Sequence, residues 1–155
     1  MSLGCKASGN AENGTSSPGA KEVGQKFGDL VMKGYWNGAY ALTSPDFQRT
    51  TTVSALQSQY DNLIAQIRQD DPKFAPNFVD VYEGSLPETE EEAKEDYNLG
   101  TVPPKSEWRG ALAVSIGWAD NEEPRTIERG VDSNVFDINT SSGLKIASVE
   151  FDFMD

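Results

Sequence analysis

The chain has 155 residues, the length of one domain, and carries 25 acidic against 13 basic side chains, a formal net charge of −12. We expect no nucleic-acid partner, because such binding depends on Lys and Arg neutralising phosphates. The sequence contains no His and one Cys, which excludes histidine-based nucleophile systems, imidazole zinc sites and intrachain disulfides. It has neither a calcium-loop motif nor an apolar run long enough to span a bilayer. We therefore predict no metal and no cofactor.

The first 17 residues are rich in Gly, Ser, Asn and Thr and predict a disordered tail, because they offer little to pack. Met1-Ser2-Leu3 reads as a vector-derived start. Gly4-Cys5, followed by a Ser/Gly/Asn tract, resembles the processing site of a bacterial lipoprotein. The resemblance implies lipidation at Cys5, a location in the cell envelope outside the cytoplasm, and membrane contact only through the lipid anchor. An incidental thiol in a tail is the alternative.

Charge is distributed unevenly along the chain. Residues 1–79 contain 7 acidic and 7 basic side chains, whereas residues 80–155 contain 18 acidic and 6 basic ones. The densest acidic run is 83–96, which has seven carboxylates and one lysine. Such a run is typical of a solvated segment, and a site for a cation or a basic partner is the alternative.

Helical periodicity dominates the first half of the sequence. Val23, Phe27, Leu30 and Val31 predict an amphipathic helix that begins at Pro18, after a capping Ser17, and stops at Gly34. Further helices are predicted at the two ranges 35–42 and 53–69.

From residue 77 the hydrophobic period changes to two, which predicts strands. A long acidic loop separates the first strand from the second, and a helix within it is tolerated only at 88–96. In the third strand the apolar positions change from odd (Ile127, Val131, Val135) to even (Phe136, Ile138), which predicts a β-bulge near 133–134. The predicted strands are 77–85, 107–120, 125–139 and 144–154. Helices followed by an antiparallel meander indicate the α+β class.

The segment 33–47, KGYWNGAYALTSPDF, together with the capped helix that starts at Thr52, resembles the helix-two signature of nuclear transport factor-like domains. These form the cystatin-like cone superfamily, and the similarity is strongest to secreted bacterial members. The similarity covers roughly residues 20–65. It implies one domain over 18–155, in which N-terminal helices pack on a curved four-stranded antiparallel sheet.

In catalytic cone domains the helices and sheet enclose an apolar pocket where an Asp, His or Tyr transfers a proton, and the resemblance implies a cleft at this place. Asp80 and Asp137 are the candidate acids here. The residues expected to line the cleft and bind a ligand are Trp36, Tyr40, Tyr60, Trp118, Phe136 and Asp137. For each of the aromatics, ordinary core packing is the alternative.

Three functions remain open from the sequence. The first is a non-catalytic extracytoplasmic module that binds a small molecule or a protein. The second is a structural domain that forms a homodimer through its sheet face. The third is an isomerase- or cyclase-type enzyme that uses a buried Asp. A carboxyl group in a closed apolar pocket favours the enzyme, and an open concave face favours binding or pairing.

Overall fold

The computed structural model describes residues 16–154, with helices in the first half of the chain and, apart from one acidic helix, strands in the second. The helices are α1 (Pro18–Met32), α2 (Trp36–Tyr40), α3 (Pro45–Thr50), α4 (Val53–Asp70) and α5 (Glu90–Tyr97). The strands are β1 (Phe78–Glu83), β2 (Trp108–Trp118), β3 (Arg129–Thr140) and β4 (Gly143–Phe153). They form an antiparallel sheet in the order β1-β2-β3-β4 that does not close into a barrel. The predicted α+β class, with helices packed on a curved four-stranded antiparallel sheet, is confirmed.

The described chain begins with two serines that are bound to the sheet. Ser16 Oγ accepts a hydrogen bond of 3.0 Å from the Ala111 amide, and the Ser17 amide donates one of 2.7 Å to the Arg109 carbonyl. Ser16 therefore belongs to the fold, although the sequence placed it in the tail. Ser17 occupies the N-cap position of α1 as predicted, but its side chain makes no capping hydrogen bond to the first turn. Helix α1 then ends before Gly34, whose φ of 79° suits glycine.

Helices α1 and α4 cover one face of the sheet, which we call the inner face. Helix α1 lies across β1 and β2, and α4 lies across β3 and β4. The helix–sheet approach is close at Gly28, where a Cβ atom would lie 2.6 Å from Val79 Cγ1. The main core lies between these layers and includes Phe27, Val31, Leu56, Ile64, Val114, Ile116, Val131 and Val135.

A second, smaller core covers one end of the opposite face, the outer face. The long acidic segment contains a helix at the place where the sequence tolerated one, since Glu90–Tyr97 forms α5, and the Glu92 amide donates a capping hydrogen bond of 3.1 Å to Thr89 Oγ1. The helix buries Ala93 against the sheet. The buried members of this second core are Leu86, Ala93, Leu99, Trp108, Ala111, Phe136 and Ile138. At the other end of the outer face, Ile127 in the loop after β2 is 4% exposed and lies beside Gly117, and Arg125 lies over the Phe78 ring at 4.4 Å. Between the two ends, the described residues of the outer face belong to neither core.

The bulge predicted in β3 lies instead in the two strands beside it. Asp137 pairs with Gly110 on β2 and with Ile146 on β4, and the register shifts leave Arg109 and Ala147 as the extra residues. The apolar positions in β3 change parity for another reason. Val135 faces the main core whereas Phe136 faces the second core, so both faces of that strand are buried.

Candidate functional site

The middle of the outer face carries a row of acidic side chains across the sheet. Asp80, Ser115, Asp132 and Asp152 lie directly opposite one another on β1, β2, β3 and β4. The neighbours of each of these residues along its strand point toward the main core. Because side chains alternate along a strand, these four side chains lie on the outer face. Neither ion pair found within residues 16–154 includes these carboxylates. Three acids therefore stand in one row, and none of them forms an ion pair within the described residues.

A second row lies beside the first and adds an acid and an aromatic side chain. Tyr82, Ala113, Asn134 and Glu150 are opposite one another across the same four strands. The Tyr82 side chain is 52% exposed, and the neighbouring Asp80 carboxylate is the main cause that raises the pKa of its hydroxyl. We call Asp80, Asp132, Glu150, Asp152 and Tyr82 together the acidic face. The sequence pattern of β4 does not identify Glu150 and Asp152 as part of a site, because the cross-strand register that places them beside Asp132 is a tertiary property.

Two of the predicted ligand-binding residues are packed inside the main core. Trp36 and Tyr60 have ring centroids 5.6 Å apart, and the ring of Phe151 lies 6.3 Å from the first and 5.5 Å from the second. Trp36 and Tyr60 are 7% and 5% exposed. Phe151 in turn stacks on Phe27 of α1 at 6.4 Å. These rings fill the layer between helices and sheet that the sequence assigned to a ligand.

The other predicted aromatics lie apart from this cluster. The Tyr40 hydroxyl donates a hydrogen bond of 2.7 Å to the Thr51 carbonyl, which fixes the connection between α2 and α4. Trp118 is 40% exposed at the end of β2, beside a cavity that Phe74 and Pro76 also line. Phe136 points to the second core, away from the inner face. The six predicted residues therefore do not line one cleft.

Asp137 is a carboxylic acid buried without a partner. It is 0% exposed, lies on the inner face between Gly110 and Ile146, and neither of its oxygens has a hydrogen-bond partner among residues 16–154. Burial raises the pKa of its carboxyl well above the ordinary value of 3.8. The Tyr60 hydroxyl is also buried and unpartnered, and burial raises its pKa to about 12. The other candidate acid, Asp80, faces outward, because Val79 and Val81 beside it point into the main core.

A cleft of about 480 Å³ runs along the outer edge of β4. Residues 147–150 of β4 line it, together with Phe47 and Thr51 on the side of α3 and Asn98 and Thr101 on the side of α5. Both walls carry polar groups, including Gln59 of α4. The cleft therefore exposes a strand edge between two walls, one at each face of the sheet.

Comparison of the chain with family models, curated proteins and solved structures found no match. The resemblance to nuclear transport factor-like domains stays a prediction. Cys5, the predicted lipidation site, lies outside the described residues. In the part of the chain that the structure describes, no helix has the length and apolar character needed to cross a membrane.

Proposed function

We propose that this protein is a non-catalytic binding module of the bacterial cell envelope whose acidic face binds a positively charged protein partner. The observation that carries the proposal is the carboxylate row in the middle of the outer face, between the second core and the loop after β2. Asp80, Asp132 and Asp152 align across the strands, and Glu150 lies beside them. Complementary charge steers a partner to such a surface and fixes its register.

The same row disfavours the alternative in which two copies pair through this face. A two-fold axis parallel to the sheet, lying in the plane of the interface, would bring the carboxylates of both copies together, and like charges in contact destabilise an interface. Dimerisation through the acidic face predicts a molecular mass twice that of the chain in light scattering. The binding-module proposal predicts the mass of one chain.

The test measures the affinity of a lysine-rich peptide for three forms of the protein at physiological ionic strength. Asp132→Asn/Glu150→Gln/Asp152→Asn removes three charges from the acidic face with little change in shape. Glu90→Gln/Glu91→Gln/Glu95→Gln removes the same number from exposed positions of α5 and is the matched control. We expect the first variant to bind at least about tenfold more weakly and the second to change little, because contact charges outweigh distant, screened ones. Equal weakening would mean that net charge alone attracts the peptide.

The cell-envelope part of the proposal rests on Cys5 and is tested separately. The lipidated protein should partition into detergent, and Cys5→Ser should release it into the soluble fraction. Stable retention needs more than one acyl chain, because a single chain binds a membrane only marginally. Wild-type protein that stays soluble after processing in a bacterial host would contradict the anchor.

One observation favours the enzymatic alternative, an isomerase- or cyclase-type reaction with Asp137 as the acid–base group. A carboxyl buried in an apolar setting has the raised pKa that such chemistry uses. Its oxygens, however, are wholly enclosed and have no hydroxyl within hydrogen-bond distance in the described residues. A substrate would have to separate α1 from the sheet to reach it. The alternative predicts turnover of an enolisable ketone that Asp137→Asn abolishes, whereas the binding module predicts none.

A further inference from the structure

Within residues 16–154, the main-chain groups at the edge of β4 have no strand partner beyond one bridge. At its beginning, the Ile146 amide donates to the Leu42 carbonyl and the Ile146 carbonyl accepts from the Ser44 amide, both at 2.8 Å. These two hydrogen bonds form an isolated parallel bridge between Thr43 and Ile146. Past Ile146, β4 runs on for seven residues as the outermost strand.

The hydrogen-bond pattern shows which residues of that edge point outward. The Met154 amide donates to the Gly130 carbonyl, so the even positions of this part of β4 face β3. Backbone direction alternates along a strand, and no register shift occurs between Val149 and Phe153. The amides and carbonyls of Val149 and Phe151 therefore point away from the sheet. The Phe153 amide, which also points outward, donates to its neighbour Asp152.

This edge is also open and charged. The cleft of about 480 Å³ begins at its first half, with walls from α3 and α4 on one side and the 97–103 segment on the other. That volume lies within the roughly 300–1,000 Å³ typical of ligand pockets. The outer-face side chains next to the edge are Glu150 and Asp152. Two copies of β4 paired edge to edge would bring these acids close together, which disfavours self-pairing.

We infer that the protein binds its partner by strand addition, in which an extended segment with a basic residue at every second position pairs with Val149–Phe153 at the β4 edge. The inference rests on the proposed function and specifies how the basic partner docks. The added strand would continue both rows of the acidic face. Its basic side chains would lie beside Glu150 and Asp152, and its intervening side chains would lie beside Val149 and the cleft.

The test uses a peptide in which Lys alternates with Val or Thr, and two isomers of it with methylated backbone amides. One isomer is N-methylated at the Val and Thr residues, and the other is N-methylated at an equal number of Lys residues. The two have the same charge and the same number of methyl groups. Alternate amides of a strand point in opposite directions, so only one isomer keeps the amides that face β4.

We expect one isomer to lose at least tenfold in affinity while the other binds like the unmodified peptide. Loss on methylation at Val and Thr corresponds to an antiparallel added strand, and loss at Lys corresponds to a parallel one. As a second readout on the wild-type protein, the unmodified peptide should slow amide hydrogen exchange at Val149 and Phe151. Equal affinities for the two isomers, or exchange at these amides that does not change, would overturn strand addition.

These outcomes separate the inference from the function on which it rests. If all three peptides bind alike and Asp132→Asn/Glu150→Gln/Asp152→Asn weakens each of them, the acidic face binds basic partners without strand pairing, and the inference alone fails. If no peptide binds, or that variant binds as the wild type does, the proposed function itself fails.

Discussion

Ser115 donates a hydrogen bond of 2.6 Å to Asp132 Oδ1, the carboxylate directly opposite it on the neighbouring strand. The serine is 3% exposed, whereas the aspartate is half-buried. The bond therefore fixes the Asp132 carboxylate of the acidic face through Oδ1, while Oδ2 stays available to a partner.

The first prediction concerns that hydrogen bond. Ser115→Ala should lower the free energy of unfolding by about 1 kcal/mol, because the bond is lost and the aspartate can recover water in its place. Urea denaturation measures the change. Ser141→Ala, in the exposed turn before β4, is the control and should be close to neutral. An equal loss in both variants would contradict a stabilising role for the hydrogen bond.

The second prediction concerns Asp137 and pH. Its pKa is raised in the folded state, so between the unfolded value and the folded value the native protein holds a proton that the unfolded chain releases. Stability should therefore be complete at low pH and decline as pH rises through this window, by up to about 1.4 kcal/mol per pH unit. Asp137→Asn should remove this contribution and be more stable than wild type at neutral pH.

The measurement for this prediction is guanidinium unfolding from pH 4 to pH 8 on both proteins. Glu123→Gln, in the exposed loop after β2, controls for the loss of one negative charge. If the free energy of unfolding changed with pH in the same way in wild type and in Asp137→Asn, burial would not raise the pKa of the Asp137 carboxyl as predicted.

The third prediction concerns the close contact between α1 and the sheet. In Gly28→Ala the added methyl would lie 2.6 Å from Val79 Cγ1 and 2.8 Å from Val114 Cγ1. Both valines are buried and branched at Cβ, so the helix must move, which costs about 1–3 kcal/mol. Gly38→Ala, in α2, meets nothing nearer than 3.5 Å and should stabilise the fold by up to about 1 kcal/mol. Thermal unfolding compares the two, and Gly28→Ala at least as stable as wild type would show that α1 lies farther from the sheet.

The fourth prediction concerns the second core. Ala93, on the side of α5 that faces the sheet, is 0% exposed. Ala93→Asp would therefore bury a charge without a partner and should detach the helix from the sheet. Trypsin should then cleave after Lys94 much faster than in wild type, while the cooperative unfolding of the main core is retained. Glu91→Gln, on the exposed side of α5 and away from the cleaved bond, should leave the cleavage rate unchanged. Loss of all structure in Ala93→Asp would mean that the two cores fold as one unit.

The hydrophobic spacing of the sequence predicted the fold class well, because the residues that define each helix or strand lie close together in the chain. The spacing of Val23, Phe27 and Val31 predicted α1, and Gly34 marked its end. The site depended on the register between strands, which the sequence does not encode locally. Phe136 and Asp137 were assigned to one cleft, yet adjacent strand residues point to opposite faces. The second core was missed because α5 is mostly acidic and contributes one buried residue, Ala93.

Arg109 and Ala147 are the extra residues in the strands on either side of β3. At these two positions the presence of a residue matters more to the fold than which side chain it carries. Ile146 and Val149 both face the main core although they are three positions apart, because Ala147 is the additional residue between them. Deleting it would return the strand to strict alternation and turn Ile146 and Leu144 to the opposite face. Homologues of this protein should accordingly vary in side chain at position 147 while conserving the number of residues between the turn at Gly143 and the edge at Val149.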